Sequence, residues 1–267
     1  MLGAALTEPL LARDYQVTPF EDATPLLDFP DALRARAESL GTLFLPGFLP
    51  AEVVGAVRGF VRRLADEHGW TQPDASNPPT VKGMPGAKLN GRGWDDPHWV
   101  DLQTALRLSP EFDALAEHPR LHFVLETLLG EPAACATANY AWLKLPGSPE
   151  HTTRAHQDLY YLPKSTRMWT VWVPMVDTPE DLGPLGVVPH SRDLGLLRHA
   201  SPFIGIEDTR GLDWHSQAVQ CGDLVIFDAL AIHCAWSNVS ATDVRLSADI
   251  RYEPTSLGGE TGLRAVV

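Results

Sequence analysis

Cysteine is scarce in this chain of 267 residues, which contains only Cys135, Cys221 and Cys234 and no CxxC pair. Three scattered thiols are too few for a disulfide framework, so we expect a reducing compartment and predict a cytoplasmic protein. Cys234 follows His233 directly, but neighbouring residues of a strand point to opposite faces of a sheet. We therefore interpret Cys234 as a buried structural thiol.

Long hydrophobic runs are also missing, since no stretch reaches the roughly 18 apolar residues that a membrane span needs. The segment Met1–Ala12 is apolar, but it has no basic region and contains Glu8 and Pro9. It therefore does not have the pattern of a signal peptide. We expect no contact with a membrane.

Basic residues are in the minority, with 21 Lys and Arg against 34 Asp and Glu and a formal net charge of −13. Most of such a surface repels phosphate backbones and anionic lipids, so nucleic acid is excluded as an expected partner. The content of 44% hydrophobic and 21% charged residues is typical of a globular protein. A small molecule is the expected partner, and the oligomeric state is left open.

Helical signals dominate the first half of the chain and strand signals the second. Apolar spacing, proline starts and glycine stops predict helices at Pro30–Glu38, from Pro50 to Gly69, from Ser109 onward and at Pro119–Leu129, with a strand at Leu43–Leu45. The segment Gln72–Pro97 is rich in Pro, Gly and Asn and is predicted to be a long loop, a type that is usually functional or disordered.

After Glu131, short runs of β-branched and aromatic residues alternate with turns. The predicted strands are Thr137–Leu145, Ala155–Leu162, Met168–Val176, Leu185–Val188, Asp223–Asp228 and Val244–Tyr252. Helices followed by strands indicate an α+β fold on an antiparallel β-sandwich or jelly roll. We predict one domain over residues 1–267, with a helical part at about 1–130 and a β core at about 131–255.

A possible metal site begins at His156 and Asp158, which are two residues apart and would share one face of a strand. His233, 75 residues after Asp158, offers a third ligand. Two neutral imidazoles and one carboxylate on one face of iron(II) leave three positions free, enough for a bidentate oxo-acid and dioxygen. These three residues are the predicted metal ligands.

An anionic co-substrate buried in a barrel needs a cationic anchor. Arg245 stands 12 residues after His233, with Ser247 on the same strand face. An arginine fork can grip a carboxylate with two hydrogen bonds and stays charged when desolvated. Asp249 on the same face is the alternative partner for Arg245.

These residues stand within a longer pattern. Its pieces are Gly41–Leu49, His156–Asp158, Trp169–Pro174, Gly183–Ser191, Gly222–Phe227, His233–Asn238 and Arg245. In this order and spacing the sequence resembles the phytanoyl-CoA dioxygenase family of iron(II)/2-oxoglutarate oxygenases, from about Gly41 to Tyr252.

The resemblance implies a double-stranded β-helix, or distorted jelly roll, with flanking N-terminal helices. It implies that His156, Asp158 and His233 bind Fe(II), that Arg245 holds the distal carboxylate of 2-oxoglutarate, and that Trp172 lies against this co-substrate. The family often has a serine where this chain has Ala235. Ser247 or Thr170 is the expected replacement for its hydrogen bond.

The implied reaction uses 2-oxoglutarate and O2 to oxidise a small-molecule metabolite, with release of succinate and CO2. Hydroxylation is the expected outcome, while desaturation, cyclisation and epoxidation stay open. A halogenating relative would lack the carboxylate that Asp158 provides. The alternatives are a jelly-roll protein that binds metal or has only a structural role, and a cupin-type enzyme that does not use 2-oxoglutarate.

The predicted loop Gln72–Pro97 carries basic and aromatic residues that could contact the substrate. These are Lys82, Lys88, Arg92 and Trp94, with His98 just beyond, where substrate contact and simple exposure are both open. Because the chain is strongly acidic elsewhere, we expect a small polar metabolite, anionic or neutral, and not a coenzyme A thioester. Trp142, Tyr160 and Tyr161 are interpreted as core aromatics.

Overall fold

The computed structural model describes residues 10–89, 96–136, 139–163, 165–200, 205–206, 209 and 211–257. The helices in these ranges are α1 (Pro30–Leu40), α2 (Ala51–Glu67), α3 (Pro97–Arg107), α4 (Pro110–Ala116), α5 (Pro119–Leu129) and α6 (Asp158–Tyr161). The strands are β1 (Gln16–Thr18), β2 (Thr42–Leu45), β3 (Ala133–Cys135), β4 (Tyr140–Lys144), β5 (Trp169–Pro174), β6 (Leu185–Val187), β7 (Asp213–His215), β8 (Leu224–Asp228), β9 (His233–Ala235) and β10 (Arg245–Pro254). Among the described helices, none is both long and apolar enough to cross a membrane.

The predicted helix boundaries are largely confirmed, because the capping residues have their expected geometry. Gly41 and Gly130 end α1 and α5 in the left-handed region, with φ of 71° and 73°. The Ser109 hydroxyl accepts a hydrogen bond from the backbone N–H of Phe112 and so opens α4.

Helix α3 was not predicted, since its first residue was taken as the end of the loop. The Asp96 carboxylate caps it by accepting from the N–H of His98. Trp99, Leu102 and Leu106 form its buried side. Three buried apolar residues in 11 positions make a weak helical pattern, and packing against β4 and the neighbouring helices compensates.

The strands form two sheets, and the fold is a mixture of helices and sheets as predicted. A six-stranded sheet has the order β2-β8-β5-β10-β3, with β4 also paired to β10. A four-stranded sheet has the order β1-β7-β6-β9. Strands β1 and β2 come from the segment expected to be mainly helical, so the sheets combine both halves of the sequence.

Alternation along β10 separates an apolar face from a charged one. Leu246, Ala248, Ile250 and Tyr252 belong to the main core, together with buried side chains of the outer helices. Arg245, Ser247, Asp249 and Arg251 occupy the opposite face. There the six-stranded sheet packs against the other sheet through Trp172, Val225 and Phe227 on one side and Leu185 and Val187 on the other. The charged face of β10 is therefore inside the protein.

The predicted strand Ala155–Leu162 is wrong. Only His156 is paired like a strand residue, through two backbone hydrogen bonds with His233 of 2.9 and 3.0 Å. The side chain of Gln157 donates to the carbonyls of Gly195 and Leu230, and the chain turns into α6 at Asp158. His156 and Asp158 therefore meet through a turn rather than through alternation on a strand.

Gly183 offers a test of how closely the chain before β6 approaches the chain after β9. Its φ is 72°, and a Cβ at this position would lie 2.1 Å from the carbonyl oxygen of Trp236. We expect Gly183→Ala to lower the free energy of unfolding by well over the roughly 1–3 kcal/mol that backbone strain alone costs. Gly86→Ala is the matched control, because Gly86 has a φ of 77° and nothing within 4 Å of its Cβ position. Equal losses in urea unfolding would contradict this close approach.

Candidate metal centre

Three buried side chains meet at one point between the sheets. His156, Asp158 and His233 each offer one ligand atom, and these atoms lie within 4.8 Å of one another. The Oδ1 atom of Asp158 is 3.7 Å from Nε2 of each histidine. Within the described ranges this is the one cluster of three or more such side chains that could hold a metal ion.

Both histidines are oriented by their other ring nitrogen. Nδ1 of His156 lies 2.7 Å from the carbonyl oxygen of Arg154, and Nδ1 of His233 lies 3.0 Å from that of Ala231. A carbonyl only accepts, so Nδ1 carries the hydrogen and Nε2 presents a lone pair to the cluster. Burial also lowers the pKa of His233 to about 3, which keeps this imidazole neutral. Both rings can therefore offer Nε2 to a metal ion.

Asp158 supplies the negative charge of the cluster. Its Oδ2 accepts from the Thr170 hydroxyl at 2.7 Å and from Nε of Arg251 at 2.9 Å. Burial favours the neutral acid, but the neighbouring Arg251 guanidinium holds the pKa of Asp158 well below its usual range. Two neutral nitrogens and one anionic oxygen are a donor set that suits iron(II) with open positions.

Arg245 and Ser247 lie on the same inner face and fit an anionic co-substrate. The Arg245 guanidinium donates from one terminal nitrogen to the Gly183 carbonyl at 3.1 Å, and its carbon lies 5.9 Å from the centre of the Trp172 ring. Burial lowers the pKa of Arg245 to about 10, so it stays charged at neutral pH. Among the described atoms, Nε of Arg245 and the Ser247 hydroxyl are buried and have no hydrogen-bond partner. Buried donors of this kind are costly unless an acceptor joins them.

Asp249, the alternative partner of Arg245, bonds elsewhere. Its Oδ2 accepts from the indole N–H of Trp142 at 2.6 Å and lies 3.8 Å from a terminal nitrogen of Arg251. Within the described part of the chain, Arg245 therefore makes no hydrogen bond to Asp249. Trp142, interpreted as a core aromatic, packs against the main core and is partly buried, while its indole N–H reaches Asp249.

Sequence reasoning missed Arg251 and Lys144. Lys144 faces Arg245 across the strand pair, and its buried ammonium donates to the Thr153 hydroxyl at 2.8 Å and to the His151 carbonyl. Burial, with Arg245 nearby, lowers the pKa of Lys144. The alternation of faces along a strand places Arg251 on the same face as Arg245, and Lys144 on the same face as Trp142, so the sequence held a signal for both residues. The alternation did not indicate which residues they would contact.

The structure shows the contacts of Thr170, one of the two expected replacements for the missing serine, and of the thiol Cys234. Thr170 was expected to contact 2-oxoglutarate, but its hydroxyl donates to Asp158, so its contact in the described structure is with a metal-ligand candidate. Cys234 is fully buried beside Trp214 and Trp236 on the face opposite His233, which confirms its interpretation as a structural thiol.

The predicted substrate residues are scattered. Lys82 forms an ion pair with Asp243 at 2.5 Å and lines a separate cavity of about 480 Å³, while Lys88 is exposed. His98 is exposed on the first turn of α3, where its ring stacks on His68 at 4.3 Å. These contacts involve neither the three-residue cluster nor Arg245. Arg92 and Trp94 lie outside the described residues.

The family model of phytanoyl-CoA dioxygenase (PhyH) matches residues 37–246, which include the three-residue cluster and Arg245. This chain belongs to the phytanoyl-CoA dioxygenase family. Membership confirms the predicted class, an enzyme that uses Fe(II), 2-oxoglutarate and O2. The donor set and the unpartnered inner-face donors agree with these cofactors.

Similar proteins include other enzymes of this kind. The 1-deoxypentalenic acid 11-beta-hydroxylase of Streptomyces exfoliatus is 29% identical, over 89% of this chain and 86% of its own length. Two solved structures, both from nogalamycin biosynthesis, share the fold. The epimerase SnoN, in complex with Fe3+, alpha ketoglutarate and nogalamycin RO, has 24% identity and a TM-score of 0.62, and 85% of this chain and 84% of that one are covered. The carbocyclase SnoK has 19% identity and a TM-score of 0.58, with 84% and 83% covered.

Alanine variants of the cluster test its role, and they should differ in stability. We expect His156→Ala, Asp158→Ala and His233→Ala each to lose Fe(II) binding in calorimetric titration under anaerobic conditions. Asp158→Ala should also lower the free energy of unfolding in urea by about 3–5 kcal/mol, because it removes the carboxylate that accepts hydrogen bonds from the buried Arg251. His122→Ala is the control, since His122 is a partly buried histidine of α5 that lies outside the three-residue cluster. A folded His156 or His233 variant with wild-type iron affinity would contradict these ligand roles.

Proposed function

We propose that this enzyme hydroxylates a C–H bond of a small organic acid, with Fe(II) bound by His156, Asp158 and His233. The observation that carries the proposal is the inner face of β10. On it, Arg251 supports the carboxylate of Asp158, while Arg245 and Ser247 present buried donors without acceptors. One strand thus serves both the metal and the co-substrate.

The proposed architecture is a single domain, residues 1–267, whose two sheets form a distorted double-stranded β-helix around this centre. Its support is the placement of the site residues on both sheets. His233 lies on β9 of the four-stranded sheet, and Thr170 and Arg245 lie on β5 and β10 of the six-stranded sheet. The likeness to SnoN and SnoK over most of their length supports the same architecture.

Each residue has a proposed task in the reaction. Arg245 binds the distal carboxylate of 2-oxoglutarate, Ser247 donates a hydrogen bond to it, and the Trp172 ring packs along it. The ring centre of Phe227 lies 4.2 Å from that of His233, and Phe227 shields this histidine from water. Bound iron, 2-oxoglutarate and O2 supply the oxidising chemistry and release succinate and CO2. The protein supplies orientation and a dry pocket.

The proposed substrate class is a free carboxylic acid rather than a coenzyme A thioester. The relatives from two Streptomyces species are named as hydroxylases of 1-deoxypentalenic acid, which is a small organic acid. The net charge of −13 disfavours a polyphosphate handle. Substrate contacts at Lys82, Lys88, Arg92, Trp94 and His98 stay predictions, and Lys82 would have to release Asp243 to make one.

The function can be tested by a screen of free carboxylic acids and their coenzyme A thioesters, with succinate release as the readout. We expect a free acid to stimulate succinate formation and to gain one oxygen atom by mass spectrometry. Asp158→Ala is the control and should show no stimulation. Turnover of a thioester but not of its acid would contradict the substrate class, and equal succinate release by the control would contradict the enzyme centre.

Substitution of Arg245 should separate co-substrate binding from metal binding. Arg245→Ala is expected to weaken 2-oxoglutarate binding by about 3–5 kcal/mol, since it removes the charged partner of a buried carboxylate. Arg245→Lys should recover only part, because a point charge replaces a planar fork. Fe(II) affinity should change little in both variants. Arg167→Ala removes an exposed arginine that pairs with Glu131 and is the control. An unchanged 2-oxoglutarate affinity in Arg245→Ala would place the anchor elsewhere.

A further inference from the structure

A second buried arginine on β10 faces the metal cluster. Arg251 stands six residues after Arg245 on the same strand face and is 5% exposed. In the pairing of β10 with β5 it lies opposite Thr170. These two residues, from adjacent strands, both donate hydrogen bonds to Asp158.

The two oxygens of Asp158 have different surroundings. Oδ2 accepts from the Thr170 hydroxyl at 2.7 Å and from Nε of Arg251 at 2.9 Å. Oδ1 accepts a longer bond of 3.3 Å from a terminal nitrogen of Arg251 and lies 3.7 Å from Nε2 of both histidines. Oδ2 thus receives the two shorter hydrogen bonds, and Oδ1, with the longer one, faces the histidine lone pairs.

Backbone structure does not impose this orientation. Asp158 is the first residue of the short helix α6 and follows a single bridge rather than a strand, so no ladder of hydrogen bonds fixes its side chain. Arg251, in contrast, is firmly held. Its backbone N–H donates to the side-chain oxygen of Asn139 at 2.8 Å, and its guanidinium lies 5.5 Å from the centre of the Tyr140 ring.

From this geometry we propose that Arg251, assisted by Thr170, is the positioning residue that presents Oδ1 of Asp158 to the metal. The proposal rests on the proposed role of Asp158 as an iron ligand. Arg251 touches neither metal nor co-substrate in this role and acts through the carboxylate. Arg251 and Thr170 also form an anion-binding site, which we call the anion seat, because their donors surround the place that the Asp158 carboxylate fills.

The first test measures metal binding without turnover, by calorimetric titration of the metal-free protein with Ni(II). We expect Arg251→Met to bind Ni(II) about 10- to 100-fold more weakly, the range typical for partners that orient a ligand. Arg251→Lys keeps a buried charge and should recover part of this loss. Thr170→Val, which removes one of the two donors to Oδ2, should show a smaller loss than Arg251→Met.

Arg58→Met is the matched control for the loss of a buried arginine. Arg58 lies on α2 and donates to Asn77 and to the Met175 carbonyl, so its loss should lower stability in urea without changing Ni(II) affinity. An unchanged or tighter Ni(II) affinity in folded Arg251→Met, or an equal loss in Arg58→Met, would overturn the proposal.

The second test uses formate as a replacement for the missing carboxylate. Asp158→Ala should regain Ni(II) binding when formate is added, because Arg251 and Thr170 can hold the small anion where Oδ1 and Oδ2 were. Asp158→Ala combined with Arg251→Met should not respond to formate. Equal recovery with and without Arg251 would overturn the anion seat. Since neither test needs succinate formation, a failure of the proposed reaction and a failure of this proposal give different results.

Discussion

Burial of two arginines on one face of β10 is the constraint on which the centre of this protein depends. A buried charge is costly without a partner, and the two arginines meet that cost in different ways. Arg251 has its partner within the chain, in the carboxylate of Asp158. Arg245 has only a carbonyl within 3.1 Å and an Nε without a partner among the described atoms. The first arginine organises a ligand, and the second is left with capacity for an anion from outside.

The register between strands fixes which side chains lie beside the two arginines. Pairing of β10 with β5 sets Thr170 opposite Arg251 and Trp172 opposite Asp249. The backbone bridge between His156 and His233 fastens the second sheet to the segment that carries Asp158. The ligand candidates therefore come from β9 and from the segment bridged to it, while the donors that orient Asp158 come from β5 and β10 of the six-stranded sheet.

Much of this could be predicted from local pattern, and what could not depends on distant contacts. The caps at Gly41, Ser109 and Gly130 are local, and their helices were predicted. His156, Asp158, His233 and Arg245 were found through their order and spacing. The turn after His156 was missed because it depends on Gln157, whose side chain bonds residues 38 and 73 positions away. Arg251 was missed because its partner Asp158 lies 93 positions away.

The short helix α6 shows why two ligand candidates predicted on a strand still meet in the structure. Alternation on a strand and the first turn of a helix both bring residues two apart near each other, so His156 and Asp158 could converge in either case. The helix adds something that a strand would not. It brings Tyr161 back beside His156, the first ligand candidate. The centres of the two rings are 5.4 Å apart, in an edge-to-face arrangement. One turn of helix thus supplies the carboxylate and also covers the imidazole, which leaves Arg251 and Thr170 as the restraints on the one ligand candidate that no strand pairing holds.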